Sequence, residues 1–185
     1  MADAYSEIAV LEAVLWKLKI TTGLDENHID IVPTPQTIPT LSRAEHILIS
    51  PNGWSPRGNP HNTSGGVRSE TIGVAVTVIN NLGAIPEDRK WKYLFRYQAM
   101  SKMIAQVMVA LDWQYDVLTK ADEILLEATG STEGFQKCLV WQNIDPTPGM
   151  IGPEFWGAAS KARSPQHAGV SRTIRFSSME RTQVI

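Results

Sequence analysis

The chain contains very little cysteine, no large excess of charge of either sign and no long apolar run. Cys138 is the one cysteine among 185 residues, which excludes an intramolecular disulfide framework and a zinc site built from cysteines. Lysine and arginine number 17 against 19 for aspartate and glutamate, and the net charge of -2 supplies no general attraction to nucleic acid or anionic lipid. No stretch approaches the roughly 18 apolar residues of a membrane span. We therefore expect no membrane partner.

The composition is that of a folded protein made in a reducing compartment. Hydrophobic residues make up 43% of the chain and charged residues 19%, which is close to the globular average. The first residues, Met1–Glu7, are acidic where a signal peptide needs a basic region, which indicates cytoplasmic synthesis. At this length we expect a single domain over residues 1–185.

Patterns that carry chemistry are missing as well. None of the four histidines lies at the i, i+2 or i, i+4 spacing that directs two imidazoles to one metal. The glycines form neither a phosphate loop nor a dinucleotide fingerprint, and no nucleophile elbow occurs. Asp112 and Asp116 have a spacing that could present two carboxylates to a divalent ion, although a solvated helix face is the simpler interpretation. We predict no catalytic residue, no cofactor and no metal, and an inert, buried Cys138.

Hydrophobic periodicity predicts two principal helices and several strands. Apolar residues recur at helical spacing from Tyr5 to Leu18, and Gly23 ends that helix. A long helix begins near Pro86, and a shorter one has Thr119 as its N-cap. The strands are predicted at residues 27–32, 45–50, 67–80, 135–141 and 169–177. The inward stripe of the long helix consists of Leu94, Tyr97, Ser101, Ile104, Met108 and Leu111, with Met100, Met103 and Val107 widening its apolar face.

Four segments between these elements are rich in proline, glycine and polar residues. They are residues 33–43, 51–66, 142–168 and the last residues, 177–185. We expect the first three to be loops or arms, 51–66 a mobile hairpin excursion, and 177–185 a free tail. The predicted fold class is therefore α+β: a small, mostly antiparallel sheet packed by one long and one N-terminal helix, with a long protruding hairpin loop and extended termini.

Aromatic and basic residues in and beside these segments are the candidate interface. Of the six tryptophans, Trp54 and Trp156 lie among turn residues, where exposure is costly unless a partner covers them. Folding back onto their own domain is an equally good interpretation. The candidate assembly residues are Trp54, Arg57, Arg68, Phe155 and Trp156. Arg172 and Arg175 are candidates to face a DNA-lined channel, with pairing to acidic residues as the alternative.

The order of elements resembles one family. A helix, a strand before a long hairpin, the alternating strand Ser69–Val78, a long helix and the late strand Val170–Phe176 are similar to the layout of the tail terminator, or tail completion, proteins of tailed bacteriophages. The resemblance covers most of the chain but rests on no invariant motif. It implies a subunit of a homo-oligomeric ring, a hexamer, that caps the tail tube protein and meets the neck or connector protein. The localisation it implies is the head–tail junction of the virion, with host cytoplasm during assembly and passage of DNA through the lumen.

Two other functions stay open at this point. A head–tail connector or neck adaptor would also be a ring of small subunits around DNA. A small metal-independent enzyme would instead use scattered residues such as His28, Asp30 and His46. A large ring in solution would favour the structural interpretation, and a closed pocket gathering these three residues would favour the enzyme.

Overall fold

The computed structural model describes residues 2–39, 41, 45–58, 67–81, 89–146, 149–151 and 169–184. Over these ranges the chain forms three helices and six strands. In chain order they are α1 (Ala2–Thr22), β1 (Ile29–Ile31), β2 (Glu45–Gly58), β3 (Val67–Asn81), α2 (Arg89–Leu111), α3 (Tyr115–Thr129), β4 (Trp141–Ile144), β5 (Gly149–Ile151) and β6 (Gly169–Val184).

The strands form one mixed, mostly antiparallel sheet. Its order is β1-β2-β3-β6-β4, and β5 also pairs with β6. Strand β1 runs parallel to β2, and the other pairs are antiparallel. The predicted hairpin of β2 and β3 is confirmed, and the predicted α+β class is confirmed with it.

The helices cover one face of this sheet. Apolar side chains from α1, α2 and α3 form one continuous core with those of β2, β3 and β6. The alternating residues of β3 that face the helices are the predicted ones, Ile72, Val74, Val76 and Val78. Ser101, predicted in the inward stripe, is exposed, whereas Met100, Met103 and Val107, predicted to widen the apolar face, are buried. The buried face of α2 is rotated away from Ser101, because the larger apolar side chains of Met100 and Met103 occupy the core in its place.

Helix α1 begins earlier and ends later than the periodicity indicated. Gly23 terminates it as predicted, with φ +69 and its amide N–H donating to the carbonyl of Lys19 at 3.0 Å. Ile8 fits the helical spacing of apolar residues but is exposed, whereas Ala9 and Ala13 are buried. Helix α1 packs against both α3 and α2.

The segment 33–43 is not a free arm where it is described. Ile38 and Leu41 pack with Val32, Leu48 and Ile79 in a second, smaller apolar cluster. The prolines remove backbone donors, but they do not change the gain from burying the apolar side chains near them. Full burial of one leucine contributes about 1.5–3 kcal/mol. Residues 33–39 and 41 thus form the predicted loop, which Ile38 and Leu41 hold against the domain.

Two other expected loops are parts of the sheet. Residues 51–58 continue β2, and residues 177–184 continue β6 instead of forming a tail. Prolines are tolerated in this part of β2 because β1 pairs only with Ile47–Ile49, so that among the described strands the later residues of β2 lie at the edge of the sheet. Residues 54–58, 67–72 and 179–184 together form a three-stranded continuation, here named the β extension. Residues 59–66 and 185 lie outside the described residues.

The β extension starts at a bend shared by its strands. Pairing between β2 and β3 is irregular between Pro51 and Trp54, and pairing between β3 and β6 is irregular between Ile72 and Val74. Gly73 lies at this bend, between Ile72 and Val74, and a Cβ on it would overlap the carbonyl oxygen of Asn52. The close approach of the two backbones therefore requires glycine.

Three boundaries after α2 differ from prediction. Helix α3 begins at Tyr115 instead of Thr119, because the chain turns back immediately after α2. Residues 135–141 are not a strand: Phe135 makes a single bridge to Arg181, and β4 begins at Trp141. Part of the expected excursion 142–168 supplies strands β4 and β5. Residues 152–168 lie outside the described residues.

Candidate assembly interface

The β extension contains three of the predicted interface residues. Trp54 pairs in register with Ile72, Arg57 with Ser69, and Arg68 with both Gly58 and Gln183. The fold therefore brings these three residues into one regular structure, in which Arg68 lies in a predicted strand whereas Trp54 and Arg57 lie in a segment predicted as a loop. Phe155 and Trp156 lie outside the described residues, so their role stays a prediction.

A buried arginine fixes the β extension to the rest of the domain. Arg181 is 1% exposed, and its guanidinium donates to Ser6 Oγ at 3.0 Å, Ser131 Oγ at 2.8 Å and the carbonyl of Glu133 at 2.9 Å. Glu70, which is 0% exposed, lies opposite Arg181 in the register of β3 and β6. The end of the last strand is thus tied to α1 and to the segment after α3.

Arg172 and Arg175 occupy opposite faces of the sheet. Arg172 pairs with Val78, on the face that the helices cover, and Arg175 pairs with Ala75 on the other. The Arg175 guanidinium donates from Nε to Asp145 Oδ1 at 3.2 Å and from Nη1 to Asn52 Oδ1 at 2.6 Å. The two arginines do not form one basic surface. A channel-lining role for either residue stays a prediction.

An exposed aromatic surface lies where α2, α3 and β4 meet. It consists of Val109, Trp113, Tyr115 and Trp141, here named the aromatic corner, whose exposed fractions are 71%, 62%, 73% and 41%. Two hydrogen bonds hold it together: the Trp113 N–H donates to the carbonyl of Leu139 at 2.9 Å, and the Trp141 N–H donates to Asp112 Oδ1 at 2.8 Å. These bonds fix the backbone while the large side chains face solvent.

The backbone at the aromatic corner is strained. Trp113 has φ 57, the left-handed conformation that costs a residue with a Cβ about 1–2 kcal/mol. The conformation makes the tight turn between α2 and α3, and the side chain of Gln114 donates to the carbonyl of Asp112 at 3.1 Å across it. A strained residue that exposes an indole is more typical of a binding surface than of a purely structural turn.

The two acidic residues beside the aromatic corner have different partners. Asp116 forms an ion pair with Lys17, and Asp112 accepts the bond from Trp141. The two carboxylates that the sequence suggested as a cation pair are therefore engaged separately, Asp112 after the end of α2 and Asp116 inside α3. Among the described residues, no group of three or more His, Cys, Asp or Glu side chains is arranged to hold a metal ion.

The residues of the alternative enzyme site are only partly assembled. The rings of His28 and His46 lie 6.1 Å apart, and His46 is buried. His28 Nδ1 is 2.7 Å from Asp25 Oδ1, and this hydrogen bond lowers the pKa of Asp25. Asp30, the predicted partner, is exposed on β1. A cavity of about 200 Å³ lies elsewhere, between α3 and the segment after it, and contains none of these histidines in its lining.

Two titratable side chains near α3 are perturbed by burial. Desolvation raises the pKa of Asp122, while a hydrogen bond from the Phe135 N–H at 2.7 Å and the charge of Arg181 oppose the rise. Burial, and then the charge of Asp116, raise the pKa of the Cys138 thiol. Cys138 is buried as predicted, although it lies outside any strand. An elevated thiol pKa does not suit a nucleophile.

Sequence patterns did not indicate Trp113, Tyr115 and Trp141 as interface residues. Trp113 stood at the end of a helical pattern, and Trp141 closed a segment predicted to be a buried strand. The available signal was the Asp112–Gln114 interruption between two helical patterns, since polar residues there mark a turn. None of the helices in the described part of the chain combines the length and apolar character needed to cross a bilayer.

Comparison with known proteins finds one distant similarity worth stating. No protein-family model matches the chain, and no curated protein sequence matches it. Among solved structures, it is similar to a chain of the "Virion of native gene transfer agent (GTA) particle", with a TM-score of 0.37 and 10% identity over 92% of this chain and 93% of that chain. A similarity this distant carries no conclusion about function.

Proposed function

We propose that this chain is a structural protein of a phage-like virion, and that within the virion it acts as a tail terminator. In this role it closes into a homo-oligomeric ring, caps the tail tube and offers its other face to the neck. The order of helices and strands supports the terminator role through the resemblance to that family. The aromatic corner carries the assembly role, because large exposed side chains on a braced and strained turn gain most from burial in a neighbour.

The structure changes which features support assembly. Residues 51–58 and 177–184 pair within their own sheet, so protruding arms no longer argue for partners. The β extension remains a candidate contact for the tail tube, since Arg57 and Arg68 lie in it. Passage of DNA through the lumen and a hexameric copy number are parts of the same proposal.

The mass of the purified chain in solution tests the assembly role. We expect native mass spectrometry and cryo-electron microscopy to find rings whose bore admits duplex DNA. Gold-labelled antibody against the chain should mark the head–tail junction of virions. Labelling of the neck above the tail tube would indicate a neck adaptor instead of a tail terminator. Virions without label would refute a virion role.

Trp113→Gly isolates the contribution of the aromatic corner. Glycine adopts φ 57 without strain, so the subunit should fold at least as well as before while the indole is lost. We expect the protein concentration for half-maximal ring formation to rise tenfold or more, as for the loss of a buried aromatic contact. Lys102→Ala, at an exposed position of α2, serves as the control. Unchanged assembly of a folded Trp113→Gly chain would remove the corner from the interface.

A further inference from the structure

One asparagine of the chain is followed directly by glycine. The pair is Asn52-Gly53, and no other asparagine in the sequence precedes a glycine. Asparagine is a thermolabile residue, because the backbone nitrogen of the next residue can attack the carbon of its side-chain amide. Glycine at that next position hinders the attack least, since it has no Cβ and adopts many backbone conformations. This pair is therefore the position in the sequence where an asparagine changes chemically most easily.

The pair lies in the irregular part of β2, outside the register of the sheet. The pairing of β2 with β3 passes from Pro51 to Trp54, so Asn52 and Gly53 have no register partner on β3. Gly53 is exposed and has φ +90. Nothing lies within 4 Å of the position that a Cβ on Gly53 would occupy. Solvent therefore reaches the side of the pair from which the attack comes.

A positive charge lies against the side-chain amide of Asn52. Arg175 Nη1 donates to Asn52 Oδ1 at 2.6 Å, and the atom that faces this donor is the oxygen because a guanidinium has no acceptor. Asp145 accepts from Nε of the same guanidinium at 3.2 Å and from Nη2 at 3.4 Å, which fixes its plane. Attack on Cγ moves negative charge onto Oδ1. A charged donor already fixed at that oxygen stabilises this charge as an oxyanion hole does.

We propose that Asn52 is a site of spontaneous deamidation in the folded protein, and that Arg175 promotes the reaction. A base from the solvent takes the proton of the Gly53 N–H, and the nitrogen forms a bond to Asn52 Cγ. The bond between Cγ and Nδ2 then breaks, and the leaving nitrogen takes a proton from the solvent and departs as ammonia. One water molecule opens the resulting succinimide ring and leaves aspartate or isoaspartate at position 52. Water is the only other reactant.

The two products differ in their effect on the bend at the start of the β extension. Aspartate keeps the backbone unchanged and places a carboxylate against Arg175, so that an ion pair replaces the bond to a neutral amide. Isoaspartate routes the main chain through the side-chain carbon and lengthens it by one atom. The Asn52 carbonyl lies too close to Gly73 for even a Cβ there, so the bend has little space for a longer chain. We expect isoaspartate to weaken the pairing of β2 with β3.

Peptide mapping by mass spectrometry measures the reaction. The folded chain is incubated at mildly alkaline pH and digested at acidic pH, and the conversion of each asparagine is followed with time. Asn27 and Asn143 serve as internal controls, because both are exposed and neither precedes glycine. We expect Asn52 to convert at least tenfold faster than either control. Conversion of Asn52 at the rate of the controls would overturn the proposal.

Arg175→Met and Arg175→Lys test the promotion by the guanidinium. Methionine removes the charge, whereas lysine keeps a charge but loses the fixed planar donors. Provided that circular dichroism shows a folded chain, we expect each variant to convert Asn52 at least threefold more slowly than the parent does. In urea all three chains should react at one rate, because the contact is absent there. If either folded variant reacted as fast as the parent or faster, the bond would not promote the reaction and the role of Arg175 would be refuted.

Thermal melting of the separated products tests the consequence. Ion exchange separates the products from the parent, and a methyltransferase specific for isoaspartate identifies the isoaspartate fraction. Asn52→Asp is the matched control for the other product and should melt at or above the temperature of the parent. We expect the isoaspartate fraction to melt at a lower temperature, and equal melting would show that the bend accepts the longer chain. These measurements concern the subunit alone, so their outcome is independent of the proposed function.

Discussion

Replacement of Arg181 by methionine should destabilise the subunit more than any other single change of a polar residue described above. The guanidinium is almost completely enclosed and serves three acceptors, on α1 and on the segment after α3. Methionine fills a similar volume without a donor or a charge. The variant therefore leaves the hydroxyls of Ser6 and Ser131 without this donor, and it leaves the buried carboxylate of Glu70 opposite an apolar side chain.

The expected loss follows from the burial of the group. Hydrogen bonds to a charged donor contribute about 1.5–3 kcal/mol each. The three bonds of Arg181 are not additive because they share one charge, and we expect the free energy of unfolding to fall by about 3–5 kcal/mol. This loss is about a fifth or more of the roughly 5–15 kcal/mol total stability of an ordinary domain.

Urea denaturation followed by circular dichroism measures the effect, at a protein concentration where the chain is monomeric. Lys137→Met is the matched control, because Lys137 pairs with Glu180 of the same strand but is largely exposed. That variant should lose less than about 1 kcal/mol. If Arg181→Met lost no more than Lys137→Met, the burial of Arg181 would not stabilise the β extension and the argument would be wrong.

Three further outcomes are expected. Gly73→Ala should lower the free energy of unfolding by about 2 kcal/mol or more, measured by urea titration, because its Cβ meets the Asn52 carbonyl; a neutral result would show that the bend relaxes. Cys138 should react with a maleimide at least a hundredfold more slowly in native than in unfolded protein, and equal rates would contradict its burial. Because burial raises the pKa of Asp122 above its ordinary 3.8, its contribution to stability is present below that pH and is lost as pH rises through the folded value. The free energy of unfolding of the parent, minus that of Asp122→Asn, should therefore decline with rising pH. An increase in this difference would show that the pKa of Asp122 is not raised.

Local sequence patterns were sufficient for several elements. Alternation from Ser69 to Val78 predicted β3 and the residues that face the helices, because a strand places every second side chain on one face. Gly23 predicted the end of α1, because few other residues adopt positive φ at a helix C-terminus. The antiparallel pairing of β2 with β3 followed from their adjacency in the chain.

Tertiary contacts decided the rest. Proline-rich residues 51–58 and the polar residues 177–184 are strands because β3 lies between them and pairs with both, a relation between distant segments. Arg181 is buried because Ser6 and Ser131 meet it there, and no local pattern of the last strand contains those partners. The same holds for the aromatic corner, where β4 returns to the turn after α2. Local pattern identified the elements whose apolar residues alternate or recur at helical spacing, as in β3 and α1. Only packing determined which polar segments joined the sheet, which polar groups found partners and which aromatic groups stayed exposed, since these depend on residues far apart in the chain.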